Sequence, residues 1–196
     1  MKILIIGNFR TGSWYLHKSY EQQGYMGLGE LLSNFNNDAE NKINKFKQRS
    51  NVVAKLHPSQ LITDSPNTYY RLCEMADEII YMQRQDTRQQ VISFAVAKEQ
   101  FNKNNKAPWL RNREIFNKDL SDEILEDVFE RLDKNNKLIQ DLYKKFPSKV
   151  ITLEKDLPYD PYPHKYNYTG KWQPPYNFKM LGVKNGTKTS TAKANR

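Results

Sequence analysis

Residues Gly7 to Trp14, GNFRTGSW, set one cation, Arg10, and two hydroxyls, Thr11 and Ser13, around a glycine, Gly12. The apolar run Ile3 to Ile6 before them is long enough for a buried strand, and the pattern from Trp14 onward is helical. A buried strand, a glycine-bearing turn and a helix start make an anion cradle. The turn's N–H groups and the helix dipole converge there on one negative group.

The spacing of Gly7 and Gly12 nearly fits the nucleoside-triphosphate P-loop, G-x-x-x-x-G-K-S/T. Ser13, however, stands where that loop has its lysine, and the nearest cation, Arg10, precedes Gly12. The lysine that reaches the β/γ-phosphates and the hydroxyl that holds magnesium are both missing from that arrangement, which disfavours an ordinary ATPase or kinase. The order Arg10-Thr11-Gly12-Ser13 instead resembles the 5′-phosphosulfate loop of sulfotransferases. That loop runs through a basic residue, a hydroxyl residue, glycine, two hydroxyl residues and a large apolar residue. Trp14 replaces the second of those paired hydroxyls.

The positioning elements follow from periodicity. Asn51 to Leu56 (NVVAKL), Glu78 to Gln83 (EIIYMQ) and Lys149 to Leu153 (KVITL) read as three further strands. Tyr25 to Glu30, broken by Gly27 and Gly29, reads as a loop at the sheet's rim, and the polar stretch Ser33 to Arg49 as a peripheral helix or mobile segment. Ser65-Pro66 starts a helix whose apolar face holds Tyr69, Leu72, Cys73 and Ala76. Another helix runs from about Thr87 to Asn102, followed by a polar loop to Asn112 that carries Trp109 as a candidate lid. The clearest helix opens at Ser121-Asp122-Glu123, carries a stripe from Ile124 to Phe146 and stops at Pro147. Strands alternating with helices imply an α/β fold of three layers, α/β/α, around a central parallel sheet. Ligands bind such sheets beyond the carboxyl ends of the strands, which places Arg10 to Ser13, His57 and Arg84 along one rim.

Three further segments resemble the same family. IIYMQRQDTRQQVIS is similar to its 3′-phosphate motif, an apolar strand ending in arginine with a serine on the next helix, here Arg84 and Ser93. A guanidinium forks onto phosphate oxygens and the hydroxyl donates from the other side. The spacing looks like that of the bacterial branch, R-R-D-x-x-x-Q-A-V-S, with Gln85 in place of the second arginine and Arg88 as a possible assistant. Lys55-Leu56-His57-Pro58 is similar to K-T-H-L-P, whose histidine takes the acceptor's proton and whose lysine lies near the donor. Glu30 in GLGELLSNF matches the glutamate that bacterial and Golgi-type relatives use as the base. Val150 to Leu157 looks like the strand ending in Y-E-D-L, where Glu154 or Asp156 supports the fold. Lys184-Asn185-Gly186 is faintly similar to a C-terminal R-K-G, and His17 and His164 belong to no motif.

The resemblance implies a P-loop nucleoside triphosphate hydrolase-like fold and a donor, 3′-phosphoadenylyl sulfate, that needs no metal. Arg10, Thr11, Gly12, Ser13 and Trp14 would face its phosphosulfate, and Arg84 and Ser93 its 3′-phosphate. Adenosine 3′,5′-bisphosphate would be the product. Glu30 or His57 would be the base, with Arg10 stabilising the leaving oxygen. The acceptor, a small molecule or carbohydrate, stays open, as does oligomeric state.

The bulk numbers fit. A chain of 196 residues with 38% hydrophobic content suits one domain, residues 1–183, with a polar basic tail over 184–196. The single Cys73 forms no internal disulfide and fits a reducing compartment. No run resembles a signal peptide or a membrane span, so the expectation is a soluble cytoplasmic protein without a membrane partner. A net charge of +9 invites a nucleic-acid partner, but the lysines are scattered rather than interleaved with aromatics, and a small polyanion satisfies the charge as well. The rivals are another P-loop small-molecule kinase or nucleotide-binding enzyme, and a non-catalytic basic protein that binds nucleic acid.

Overall fold

A computed structural model describes residues 1–32, 39–58, 66–104, 120–157 and 170–182. The apolar runs pair into a five-stranded sheet of β1 (Lys2–Gly7), β2 (Met26–Glu30), β3 (Val52–Leu56), β4 (Glu78–Gln83) and β5 (Lys149–Thr152). All neighbours are parallel, in the order β2-β3-β1-β4-β5. Ile3 to Ile6 and Val52 to Ala54 are buried on both faces, which is why they read as unbroken apolar runs.

The pleat deals alternate side chains to two layers. Leu4, Ile6, Ala54, Leu56 and Tyr81 face α2 (Ala39–Gln48), α3 (Pro66–Met75) and the second half of α5 (Asp122–Lys145). Ile3, Ile5, Val53, Ile80 and Met82 face α1 (Ser13–Gln22). Handedness explains this division. The β1-to-β2 connection runs along the sheet opposite to the connections leading to β4 and β5, so a right-handed crossover puts α1 on the other face. The chain therefore changes direction at β1, and the crevice of such a sheet opens beyond that strand's carboxyl end.

A further apolar cluster joins α4 (Thr87–Asn104) to the first half of α5 through Val91, Ala95, Val128, Phe129 and Leu132, closed by Trp172 and Phe178. Helix α5 therefore serves both clusters. Ser121 caps it by accepting from the Ile124 N–H at 3.3 Å, with acids in its first turn and lysines in its last. Its stripe is interrupted by buried Asn135, between Leu132 and Ile139. After β5 a single turn, α6 (Leu153–Asp156), follows. Among the described residues no helix is long and apolar enough to cross a membrane.

Several expectations change. Tyr25 to Glu30 is not a rim loop: Met26–Glu30 is an edge strand, paired to β3 through a register shift between Gly27 and Gly29. Both glycines that disguised it have a structural cause. The Glu21 side chain lies so close over Gly27 that a Cβ would meet Oε1 at 1.8 Å, and Gly29 sits at φ +65°. Lys149–Thr152 ends one residue earlier than expected, because Leu153 begins α6. Helix α4 continues to Asn104 instead of stopping at Asn102. Ser65, Trp109, His164, Lys184-Asn185-Gly186 and the tail lie outside the described residues.

Candidate functional site

The loop between β1 and α1 is pinned from three sides. The Asn8 amide nitrogen donates to the Leu132 carbonyl at 2.7 Å and to Asn136 Oδ1 at 3.3 Å. Its Oδ1 accepts from Asn135 Nδ2 at 3.1 Å and from the Phe9 N–H at 3.0 Å. The polar break in the α5 stripe thus exists to hold this loop. Gln90 of α4 donates to the Phe9 carbonyl at 2.7 Å, and Thr11 Oγ1 closes the loop onto the Asn8 carbonyl at 2.8 Å. At Gly7 a Cβ would fall 2.8 Å from Thr11 Oγ1 and 2.9 Å from Met82 Cβ, so only glycine lets the chain turn here.

Gly12 takes φ +85° and caps α1 without a side chain, and the first turn holds no acid. No acid of the helix's own first turn therefore offsets the positive end formed by its N–H groups. Arg10 stands at φ +64° and is half-buried; Ser13 is buried; Trp14 is 49% exposed and lies on the outside of the helix.

Toward the β2 edge the rim is an acid–base cluster. Register sets Glu30 opposite Lys55, and Lys55 Nζ lies 3.4 Å from Glu30 Oε1. His57 Nε2 is 3.5 Å from the same carboxylate oxygen and 3.5 Å from Ser13 Oγ, while its Nδ1 meets the Gly7 carbonyl at 2.7 Å. A carbonyl only accepts, so Nδ1 carries the proton of the neutral ring and Nε2 presents the lone pair. Burial holds the His57 pKa below 6.5, with Glu30 opposing the shift and Lys55 adding to it. Burial also lowers Lys55, against the pull of Glu30. This is not a hydrolase triad, since Ser13 and Glu30 address the same nitrogen instead of opposite ones.

Beneath this cluster lies His17, which had no motif to mark it. It is buried, its Nε2 accepts from the Gly29 N–H at 3.1 Å, and its Nδ1 lies 3.5 Å from Glu21. Burial first, then Lys55, lowers its pKa to about 4, so it is neutral near pH 7. His17 thereby fixes the β2 bulge that aims Glu30. The pattern that could have revealed it is its place one turn after Ser13, on the face α1 turns to the sheet.

Toward β5 the rim is a guanidinium hub. Arg84 is buried; Nη1 donates to the Arg10 carbonyl at 3.4 Å, Nη2 to Gln89 Oε1, and Nε lies 3.4 Å from Glu154. Glu154 also accepts from the Gln85 and Asp86 N–H groups at 2.9 and 3.2 Å. The support expected of Glu154 thus takes the form of a turn-closing carboxylate. Asp86 does not pair with Arg84; it caps α4 by accepting from the Gln89 N–H at 2.8 Å. Ser93, buried on α4, accepts from Arg10 Nε at 2.7 Å. Gln85 is exposed, and Arg88 spends its guanidinium on the carbonyls of Trp172 and Gly170 at 3.0 and 3.1 Å.

The structure thus brings Arg10, Thr11, Gly12, Ser13, Glu30, His57, Arg84 and Ser93 to one end of the sheet, with Trp14 facing outward. Lys55 and Glu154 hold them in place, together with His17 and Asn8, which no motif marked. Cys73 is buried in the core, and burial pushes its thiol up to about 12. No family model and no curated protein matches this chain.

Proposed function

We propose that this chain transfers a sulfuryl group from 3′-phosphoadenylyl sulfate to a hydroxyl or amine acceptor, on a fold of the P-loop nucleoside triphosphate hydrolase kind. One observation carries the reading: the cradle residue Ser13 touches the proton-accepting nitrogen of His57, while the cradle cation Arg10 is bonded to Ser93 across the rim.

The residues suit such a donor at its phosphosulfate end. A helix start whose first turn carries no acid, a glycine cap and a half-buried arginine converge there. When bound, the donor supplies a sulfuryl group whose leaving group is a phosphate. Arg10 and the first N–H groups of α1 stabilise the charge that gathers on the departing oxygen. Ser93 meets the 3′-phosphate. Arg84 backs it from beneath, holding the Arg10 carbonyl and lending positive charge while remaining paired with Glu154.

Of the two candidate bases, His57 is the better placed. Its Nε2 carries the lone pair, and the ring is kept neutral by burial. Glu30 then stabilises the imidazolium once the proton arrives, while Lys55 holds the carboxylate in position. His57 is buried, so an acceptor proton reaches Nε2 along Ser13 or Glu30, the two groups set against that nitrogen.

Calorimetric titration of the chain with adenosine 3′,5′-bisphosphate, magnesium-ATP and a DNA oligonucleotide separates the readings. The bisphosphate should bind without magnesium and more tightly than either other ligand. Preference for magnesium-ATP would replace the proposal with a kinase, and DNA binding with a steep salt dependence would replace it with a nucleic-acid-binding protein.

A further inference from the structure

Three polar residues of α1, Ser13, His17 and Glu21, stand at i, i+4 spacing and so share one side of the helix. Ser13 Oγ meets His57, His17 Nε2 accepts from the Gly29 N–H, and the Glu21 side chain fills the space that a Cβ on Gly27 would need. The two spacings match. Four helical residues rise about 6 Å, and two strand residues advance about 6.6 Å. The lower two contacts fall on Gly27 and Gly29, between which the β2 register shifts. The bulge is therefore gripped at both of its ends by one face of α1.

His17 grips only as a neutral acceptor. Because Nε2 accepts, the ring's one proton sits on Nδ1, toward Glu21 Oε1 at 3.5 Å and the Val53 carbonyl. The charged groups facing the ring are Glu21 and Lys18 of its own helix and Lys55 of β3, and Lys18 Nζ also bonds Glu21. A second proton would go to Nε2 and set one N–H against another, ending the bond to Gly29.

Glu30 follows Gly29 directly. Its carboxylate touches Lys55 and His57, and the next N–H, of Leu31, donates to the Lys55 carbonyl at 3.0 Å. The carboxylate thus hangs from a backbone fixed on one side by β3 and on the other by His17. We infer that His17 is a positioning residue for the base: through Gly29 it holds the Glu30 carboxylate against His57, and when His17 releases β2 that carboxylate leaves the imidazole. The consequence for turnover rests on the sulfuryl-transfer reading; the hold on Glu30 does not. A purely structural His17 would affect stability and leave the titration of His57 where it is.

Nitrogen-15 NMR of the full chain without nucleotide tests this. A scalar coupling across the N–H···N bond should link Gly29 to His17 Nε2 at neutral pH and vanish as pH falls through about 4. Glu30 raises the His57 pKa, so Glu30→Gln should make His57 take its proton about one pH unit lower. His17→Leu, which lacks the acceptor, should reproduce most of that shift. His17→Gln, which keeps an acceptor, should titrate His57 as the native chain does. Absence of the Gly29 coupling in the native chain overturns the inference, whether or not His17→Leu folds. A His57 titration unmoved by Glu30→Gln, or by folded His17→Leu, overturns it as well. Calorimetry reads bisphosphate binding separately. No bisphosphate binding alongside these NMR results would refute the donor reading and leave the grip on β2 standing, whereas normal binding with His57 unmoved would refute the grip alone.

Discussion

On either side of β1 the rim carries a buried cation set 3.4 Å from a glutamate: Lys55 with Glu30 toward β2, and Arg84 with Glu154 toward β5. The two pairs use the same charges differently. Glu154 is occupied by two backbone N–H groups and Arg84 reaches a loop carbonyl, so that pair builds the turn. Glu30 and Lys55 instead border His57 and Ser13, and both Lys55 and His57 are shifted by burial. Arginine stays charged in proteins, whereas lysine and histidine change charge when desolvated. One pair is therefore suited to hold a shape and the other to handle a proton.

The largest effect should fall on the proton-handling side. His57→Gln should lower the proposed sulfuryl transfer by about 10²- to 10⁴-fold. Glu30→Gln, which removes only the charge behind the imidazole, should cost less, and steady-state rates for the two variants rank them. A larger loss at Glu30 would reverse their roles. On the shape-holding side Arg84 is the buried partner and Glu154 the exposed one, so Glu154→Gln leaves a buried guanidinium without its anion and should cost about 3–5 kcal/mol in urea unfolding. The double variant Arg84→Met/Glu154→Gln should recover part of that. If Glu30→Gln proves as destabilising as Glu154→Gln while sparing turnover, the contrast between the two pairs fails.

A smaller effect distinguishes the regions by pH. His17 has a pKa of about 4 in the folded chain against an ordinary 6.5, so the unfolded chain binds the extra proton between these values. Stability from this group is complete above pH 6.5 and lost as pH falls toward 4, up to about 3 kcal/mol. His57, also depressed by burial, acts in the same direction. His17→Gln, which keeps an acceptor for the Gly29 N–H, should flatten the fall in unfolding midpoint between pH 7 and pH 5. An unchanged slope would show that His17 is not held neutral.

Much of this was legible in the residues, for identifiable reasons. Strands β1 and β4 are buried on both faces, so continuous apolar runs mark them and their carboxyl ends locate Arg10 to Ser13 and Arg84 along the rim. Helix α5 was legible because it has a cap, a stripe and a stop. Strand β2 was not, because Gly27 yields its side-chain space to Glu21 and Gly29 forms a bulge. Missing β2 hid the register that pairs Glu30 with Lys55, and with it the use of His17. Likewise buried Asn135 interrupts the apolar stripe of α5, and only its bond to Asn8, 127 positions away in the chain, accounts for it. Partners far apart in sequence, such as Arg84 and Glu154, depend on how β4 and β5 align.

The most direct measurement is a crystal structure with adenosine 3′,5′-bisphosphate bound. The 5′-phosphate should lie on the first turn of α1 beside Ser13 and Arg10, with the 3′-phosphate within hydrogen-bonding distance of Ser93 and above Arg84. A nucleotide seated elsewhere, or one whose 3′-phosphate points away from Ser93 and Arg84, would contradict the account.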